Sequence, residues 1–107
     1  MAGRRFDVFL VNLDPTVGSE IRKTRPCVIV SPDEMNDRTR TVIVLPLTTG
    51  GHVYVTRVPC RAAGRAGFVV VDQPRSVDVS RLIRRLGALT AAEGSLVLEA
   101  LERMFAP

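Results

Sequence analysis

The chain has 107 residues, 46% of them hydrophobic, which is enough for one modest core and too few for two, so it reads as a single domain over residues 1–107. Its formal net charge is +4 and Lys23 is the only lysine, so the positive surface is almost wholly arginine, whose planar fork of donors suits phosphate and nucleic acid. No apolar stretch approaches the roughly 20 residues that span a bilayer. The run after Asp7 is cut at Asn12 and Asp14, too soon for a signal peptide. Two cysteines without CxxC spacing and one histidine are too few for a structural zinc site. The expectation is a cytoplasmic protein with no membrane segment, no metal and reduced core cysteines.

Phe6 to Leu13 is mostly apolar or β-favouring and predicts a buried strand, ended by the turn chemistry of Asp14-Pro15-Thr16. A loop runs to about Thr24. Pro26-Cys27-Val28-Ile29-Val30 reads as a second buried strand, closed by Ser31-Pro32, and the polar residues Asp33 to Arg40 make a connection. Thr41 to Leu45 is the third strand, where Pro46 marks a bulge or an edge rather than a central ladder position. After the loop Thr48-Thr49-Gly50-Gly51-His52, Val53 to Pro59 alternates as a fourth strand. Gly64 to Gly67 then turns, and Phe68 to Asp72 gives a fifth.

Two helices are expected to close the chain. Asp78-Val79-Ser80 opens a short one, with Leu82, Ile83 and Leu86 apolar, Arg81, Arg84 and Arg85 polar, and Gly87 as its stop. Thr90-Ala91-Ala92-Glu93 is a capping-box pattern, after which Val97, Leu101, Met104 and Phe105 recur at helical spacing to form one docking face. These elements predict a mainly β fold with helices (α+β): an SH3-like, partly open twisted β-barrel with a short helix and a C-terminal amphipathic helix.

Standard catalytic sets are scarce. A lone His52 cannot supply both acid and base, no cysteine, histidine and carboxylate cluster suggests a metal, and no glycine motif cradles phosphate. What stands out is polar residues on two loops beside strand ends, Thr16 to Arg25 and Thr48 to His52.

On those loops a likeness is specific. The run from Asn12 to Pro32, NLDPTVGSEIRKTRPCVIVSP, resembles the opening of the MazF/PemK ribonuclease toxins. The resemblance continues through VIVLPLTT, Val71-Asp72-Gln73, the arginine-rich segment and the terminal helix, nearly the whole chain. It implies a MazF/CcdB-like fold and a homodimer that cuts single-stranded mRNA at a specific sequence with no cofactor and no metal. The ends left are a 2′,3′-cyclic phosphate and a 5′-hydroxyl, and the outcome is arrest of translation and growth. A cognate MazE-like antitoxin would lay an acidic segment across the basic groove. The resemblance places catalysis on Arg25 and Thr48.

That assignment is physically coherent, because RNA cuts itself when its 2′-hydroxyl attacks the adjacent phosphorus. Arg25 can offer several N–H donors to the phosphate oxygens and protonate the departing 5′-oxygen, and the Thr48 hydroxyl can donate one more bond. A guanidinium is a poor proton acceptor near neutral pH, which leaves Glu20, on the same loop, for a supporting or base role; the alternative that the resemblance implies for some members is that the arginine runs both proton steps. RNA contacts are expected from Thr16, Ser19, Thr49, His52, Tyr54, Arg57 and Gln73, reading splayed bases along their edges.

Blander roles stay open. Arg25 can pair with a carboxylate at a strand start, Thr48 and Thr49 favour β structure in any case, Ser19 and Glu20 can simply order the loop, and Tyr54 can be an ordinary strand aromatic. Ile21-Arg22-Lys23-Thr24 fills a gap where many relatives carry glutamine and glycine, and Pro74 removes a backbone donor where an aliphatic residue is usual. The rivals are a CcdB-like gyrase poison, against which stands the lack of a tryptophan in the terminal helix, and a non-catalytic nucleic-acid-binding barrel.

Overall fold

The computed structural model describes residues 3–21, 23–51 and 54–107. Among them seven strands build one sheet, with every neighbouring pair antiparallel. Strands β1 (Asp7–Asn12), β2 (Thr24–Ile29) and β3 (Thr41–Thr48) form its centre, as β-branched, apolar runs should. On the side of β3 away from β2, two partners share the strand. β6 (Arg75–Asp78) pairs with Thr41 to Val44, and β5 (Arg65–Val70), joined in a hairpin to β4 (Arg57–Ala62), pairs with Leu47 and Thr48. β7 (Leu82–Ala88) closes the far side against β1.

Side-chain alternation sends the apolar residues to two faces. Val8, Val28, Val30 and Leu45 pack on one face with Val58, Val69 and Val97, the last from helix α2 (Ala91–Phe105). Val11, Cys27, Ile29, Val42, Val44 and Val77 pack on the other. Helix α2 starts with the expected capping box: the Thr90 hydroxyl accepts from the Glu93 N–H at 3.1 Å and Glu93 Oε1 accepts from the Thr90 N–H at 2.8 Å. Val97, Leu101 and Met104 face the sheet, whereas Phe105 is 72% exposed. At 3.6 residues per turn it stands about 80° round from Val97, off the buried stripe.

Several sequence expectations are corrected. The arginine-rich segment is not a helix. A single 3-10 turn, Val79–Arg81, leads into β7, where Leu82 packs with the cluster of Val11 and Leu86, four residues on, with that of Val8. Two register irregularities against β1, between Val8 and Phe9 and between Leu10 and Val11, break simple alternation there and give the charged pattern its helical look. The fourth and fifth strands overlap the expected ones but are shifted, β4 to Arg57–Ala62 and β5 to Arg65–Val70, with the expected start at Val53 outside the described residues, because the hairpin turns at Ala63-Gly64, both at positive φ (53° and 75°), a two-residue turn of the primed type. Asp33–Asn36, read as a connection, forms a one-turn helix, α1, whose buried Asn36 donates to the Ser31 carbonyl at 3.0 Å. Strand β6 had no counterpart in the sequence reading.

Pro46 sits in a central strand, paired with Cys27. Ile43 directs its carbonyl to the β2 side, accepting from the Val30 N–H, so by alternation Pro46 faces the opposite side. There β6 has ended at Val44 and β5 begins at Leu47. A missing N–H costs nothing at a junction between partners.

Candidate active site

Arg25 enters the sheet at the start of β2 and is exposed; Thr48 ends β3 and is half-buried. The sheet brings both to one cleft of about 140 Å³, walled by the β4–β5 hairpin. Gly67 of β5 makes the approach possible, since a Cβ there would collide with the Thr48 carbonyl oxygen. The Thr48 hydroxyl oxygen accepts from the Gly50 N–H at 3.3 Å, which leaves its own proton to donate into the cleft. Thr49 lines the same cleft, and so does Arg65, whereas no carboxylate does among the described residues.

A second cleft, of about 350 Å³, opens beside Pro46. Thr16 and Glu20 of the first loop line it with Asp72, Gln73 and Arg75. The loop is tied down on this side. Gln73 Oε1 accepts from the Ile21 N–H at 2.9 Å, and Asp14 Oδ1 accepts from the Lys23 N–H at 2.9 Å. The Arg75 guanidinium donates to the carbonyls of Leu13 and Pro15, and that of Arg81 donates to those of Asn12 and Asp14. Four successive carbonyls of an exposed loop are thus held by two arginines, each a charge-assisted donor.

The structure therefore brings together Arg25, Thr48 and Thr49 and puts Thr16, Glu20 and Gln73 in the neighbouring cleft. Glu20 Oε1 accepts from the Val17 N–H at 2.6 Å, inside its own loop. Ser19 is exposed on that loop. Tyr54 is 54% exposed, ahead of β4 rather than within a strand, and the Arg57 guanidinium stands over its ring at 5.6 Å. His52 lies outside the described residues. Sequence reasoning missed Arg65, Arg75 and Arg81. Arg75 lies in the unforeseen β6, Arg81 was assigned to a helix, and Arg65 becomes meaningful only once the hairpin register is known.

The cysteines are walls rather than reagents. Burial pushes the Cys27 thiol up to about 12 against the opposing charge of Arg75. Burial, with Glu93 adding to it, pushes Cys60 up to about 11. Cys60 lines the Arg25 cleft, yet it stays a protonated thiol at neutral pH and a poor nucleophile. Among the described residues no three histidine, cysteine, aspartate or glutamate side chains are grouped to hold a metal ion. No helix among them is long and apolar enough to cross a membrane.

The chemistry of the Arg25 cleft is that of an anion site: N–H and O–H donors with no carboxylate among its described lining residues, suited to a phosphate gaining charge. Residues 4–105 match the family described as PemK-like, MazF-like toxin of type II toxin-antitoxin system. The chain is 40% identical over 86 residues to the endoribonuclease PemK of Escherichia coli, a match that covers 70% of this chain and 60% of that protein. It is 36% identical over 110 residues to the endoribonuclease MazF9 of Mycobacterium tuberculosis, covering 92% of each. Its fold superposes on the crystal structure of MazF from Deinococcus radiodurans with a TM-score of 0.88 at 26% identity, over 100% of this chain and 99% of that one. A mycobacterial endoribonuclease in complex with its cognate antitoxin gives 0.84 at 25% identity, over 99% and 98%. The chain belongs to the PemK/MazF family of toxins of type II toxin-antitoxin systems, and the relatives it matches are endoribonucleases.

Proposed function

We propose that this single toxin domain, residues 1–107, is a sequence-specific endoribonuclease that cuts single-stranded mRNA in the cytoplasm without a metal, arresting translation and growth. It acts as a homodimer and is silenced by a cognate MazE-like antitoxin. The observation that carries the reading is the meeting of Arg25 and Thr48, from the ends of two different strands, in one small cleft with no carboxylate among its described lining residues. In the reaction the 2′-hydroxyl of the nucleotide before the cut attacks phosphorus, its proton leaves, and the bond to the 5′-oxygen breaks. The products are a 2′,3′-cyclic phosphate and a 5′-hydroxyl. Arg25 binds the non-bridging oxygens and gives a proton to the departing oxygen. Thr48, its hydroxyl oxygen already engaged by Gly50, donates to the charge that builds on the phosphate.

Glu20 serves the loop first, through its bond to Val17. As a general base it exchanges that bond for the 2′-hydroxyl when RNA fills both clefts. Thr16 and Gln73 meet the bases in the larger cleft and Thr49 meets the strand in the Arg25 cleft, with Ser19, His52, Tyr54 and Arg57 as further RNA contacts. The endoribonuclease names of the matched relatives favour RNA cleavage over gyrase poisoning.

The test is incubation of the protein with a long single-stranded RNA in excess EDTA, alongside Arg25→Ala, with the fragment ends mapped. Discrete cuts with 5′-hydroxyl ends that vanish in the variant are the expected result. Intact RNA, or 5′-phosphate ends, would overturn the mechanism.

A further inference from the structure

We propose that Arg65 is a second phosphate-binding residue of the Arg25 cleft, gripping a backbone phosphate of the RNA strand next to the one being cut; this rests on the ribonuclease reading above. Arg65 lines the cleft together with Arg25 and Thr48. It is the first residue of β5, directly after the tight Ala63-Gly64 turn, and pairs with Ala62. The hairpin that carries it is in fixed register with β3, Phe68 opposite Thr48, and Gly67 lies against the Thr48 carbonyl. The backbone of Arg65 is therefore held relative to the reacting group by ladder pairing on both sides of β5.

Charge and lining decide what it holds. Among the described residues no carboxylate pairs with Arg65 and none lines the cleft, so Arg65 shares with Arg25 a space without acidic lining. The walls around Arg65 are Ala62, Ala63, Ala66 and Gly67. They offer no aromatic ring for a base to stack on and no amide or carboxylate to read a base edge. A cationic cleft with small, featureless walls recognises the part of RNA common to every nucleotide, its phosphate. Arg65 therefore contributes affinity without sequence preference.

The test is steady-state cleavage of a single-stranded RNA oligonucleotide carrying the mapped cut sequence, by wild type, Arg65→Ala and Arg65→Lys, across a salt series. Losing one charge-assisted contact in Arg65→Ala raises KM about tenfold. The slope of log affinity against log salt falls by about 0.7, the value for one phosphate on a single strand. kcat and the cut sequence stay as in wild type, and Arg65→Lys, which keeps the charge, restores the slope. Unchanged KM and slope in Arg65→Ala overturn the proposal, as does a loss confined to kcat or a change of cut sequence. If the wild-type protein leaves the RNA intact, it is the ribonuclease reading that has failed, a distinct result. Circular dichroism melts confirm that each variant is folded, as expected for an exposed position at the end of a hairpin.

Discussion

The two clefts at the ends of the central strands differ in size, charge and lining. The smaller, about 140 Å³, has two arginines, two threonines and a wall of alanine and glycine; the larger, about 350 Å³, has two carboxylates, an amide and one arginine. The first has donors for an anion and no amide, carboxylate or aromatic ring among its described lining residues. The second mixes donors and acceptors, as edge recognition requires, and has more room. On the proposed reading the contrast divides the labour between a cleft that handles phosphate and a cleft that reads sequence, the second lined by Thr16, Glu20 and Ile21 of the first loop.

The division can be broken from the phosphate side first. Thr48→Ala removes one donor aimed at the developing charge and is expected to lower kcat about 100- to 1000-fold with the same cut sequence, measured by fragment mapping and single-turnover rates. A smaller effect is expected from the loop's anchor. In Arg75→Ala the carbonyls of Leu13 and Pro15 lose their charged donor, the loop loosens, and kcat/KM falls about tenfold, mostly through KM. Hydrogen exchange of the Asp14 to Lys23 amides checks that the loop, not the sheet, has changed.

The smallest effect on cutting sharpens the comparison as a control. Thr90→Ala removes the α2 cap, which lines neither cleft, and costs about 1 kcal/mol of stability by denaturant titration while leaving cleavage unaltered. The Glu93 carboxyl opposite it is held below the ordinary glutamate range. Partial burial opposes its charge, but bonds from the Thr90 and Arg61 N–H groups outweigh that. Its contribution is thus fully present above the ordinary range and is lost as pH falls through the lowered folded value.

What could be read from the chain alone follows the physics of each element. β1, β2 and β3 are dense in β-branched residues, and α2 carries a capping box and a clear stripe, so local chemistry specifies them. β7 was misread because Leu82 and Leu86, four apart, have the spacing of a helical turn, whereas the irregular pairing with β1 lets them pack on opposite faces of the sheet. The hairpin turn was misplaced because Ala63, an unusual residue at positive φ, gives no turn signal. Arg25 and Thr48 were found through the resemblance, since neither residue type is diagnostic by itself. Glu20 is near Arg25 in sequence, yet the bonds from Gln73 and Arg75 turn its loop toward the other cleft, which spacing cannot reveal.

The central claim is that the cut is made by the RNA's own 2′-hydroxyl in the Arg25–Thr48 cleft. The most direct measurement uses an oligonucleotide with a single 2′-deoxy nucleotide immediately before the mapped cut. The account predicts that the wild-type protein binds this oligonucleotide as tightly as the all-ribose strand and fails to cut it there. Cleavage at that link at the normal rate would contradict the account, because the attacking group would then have to come from elsewhere.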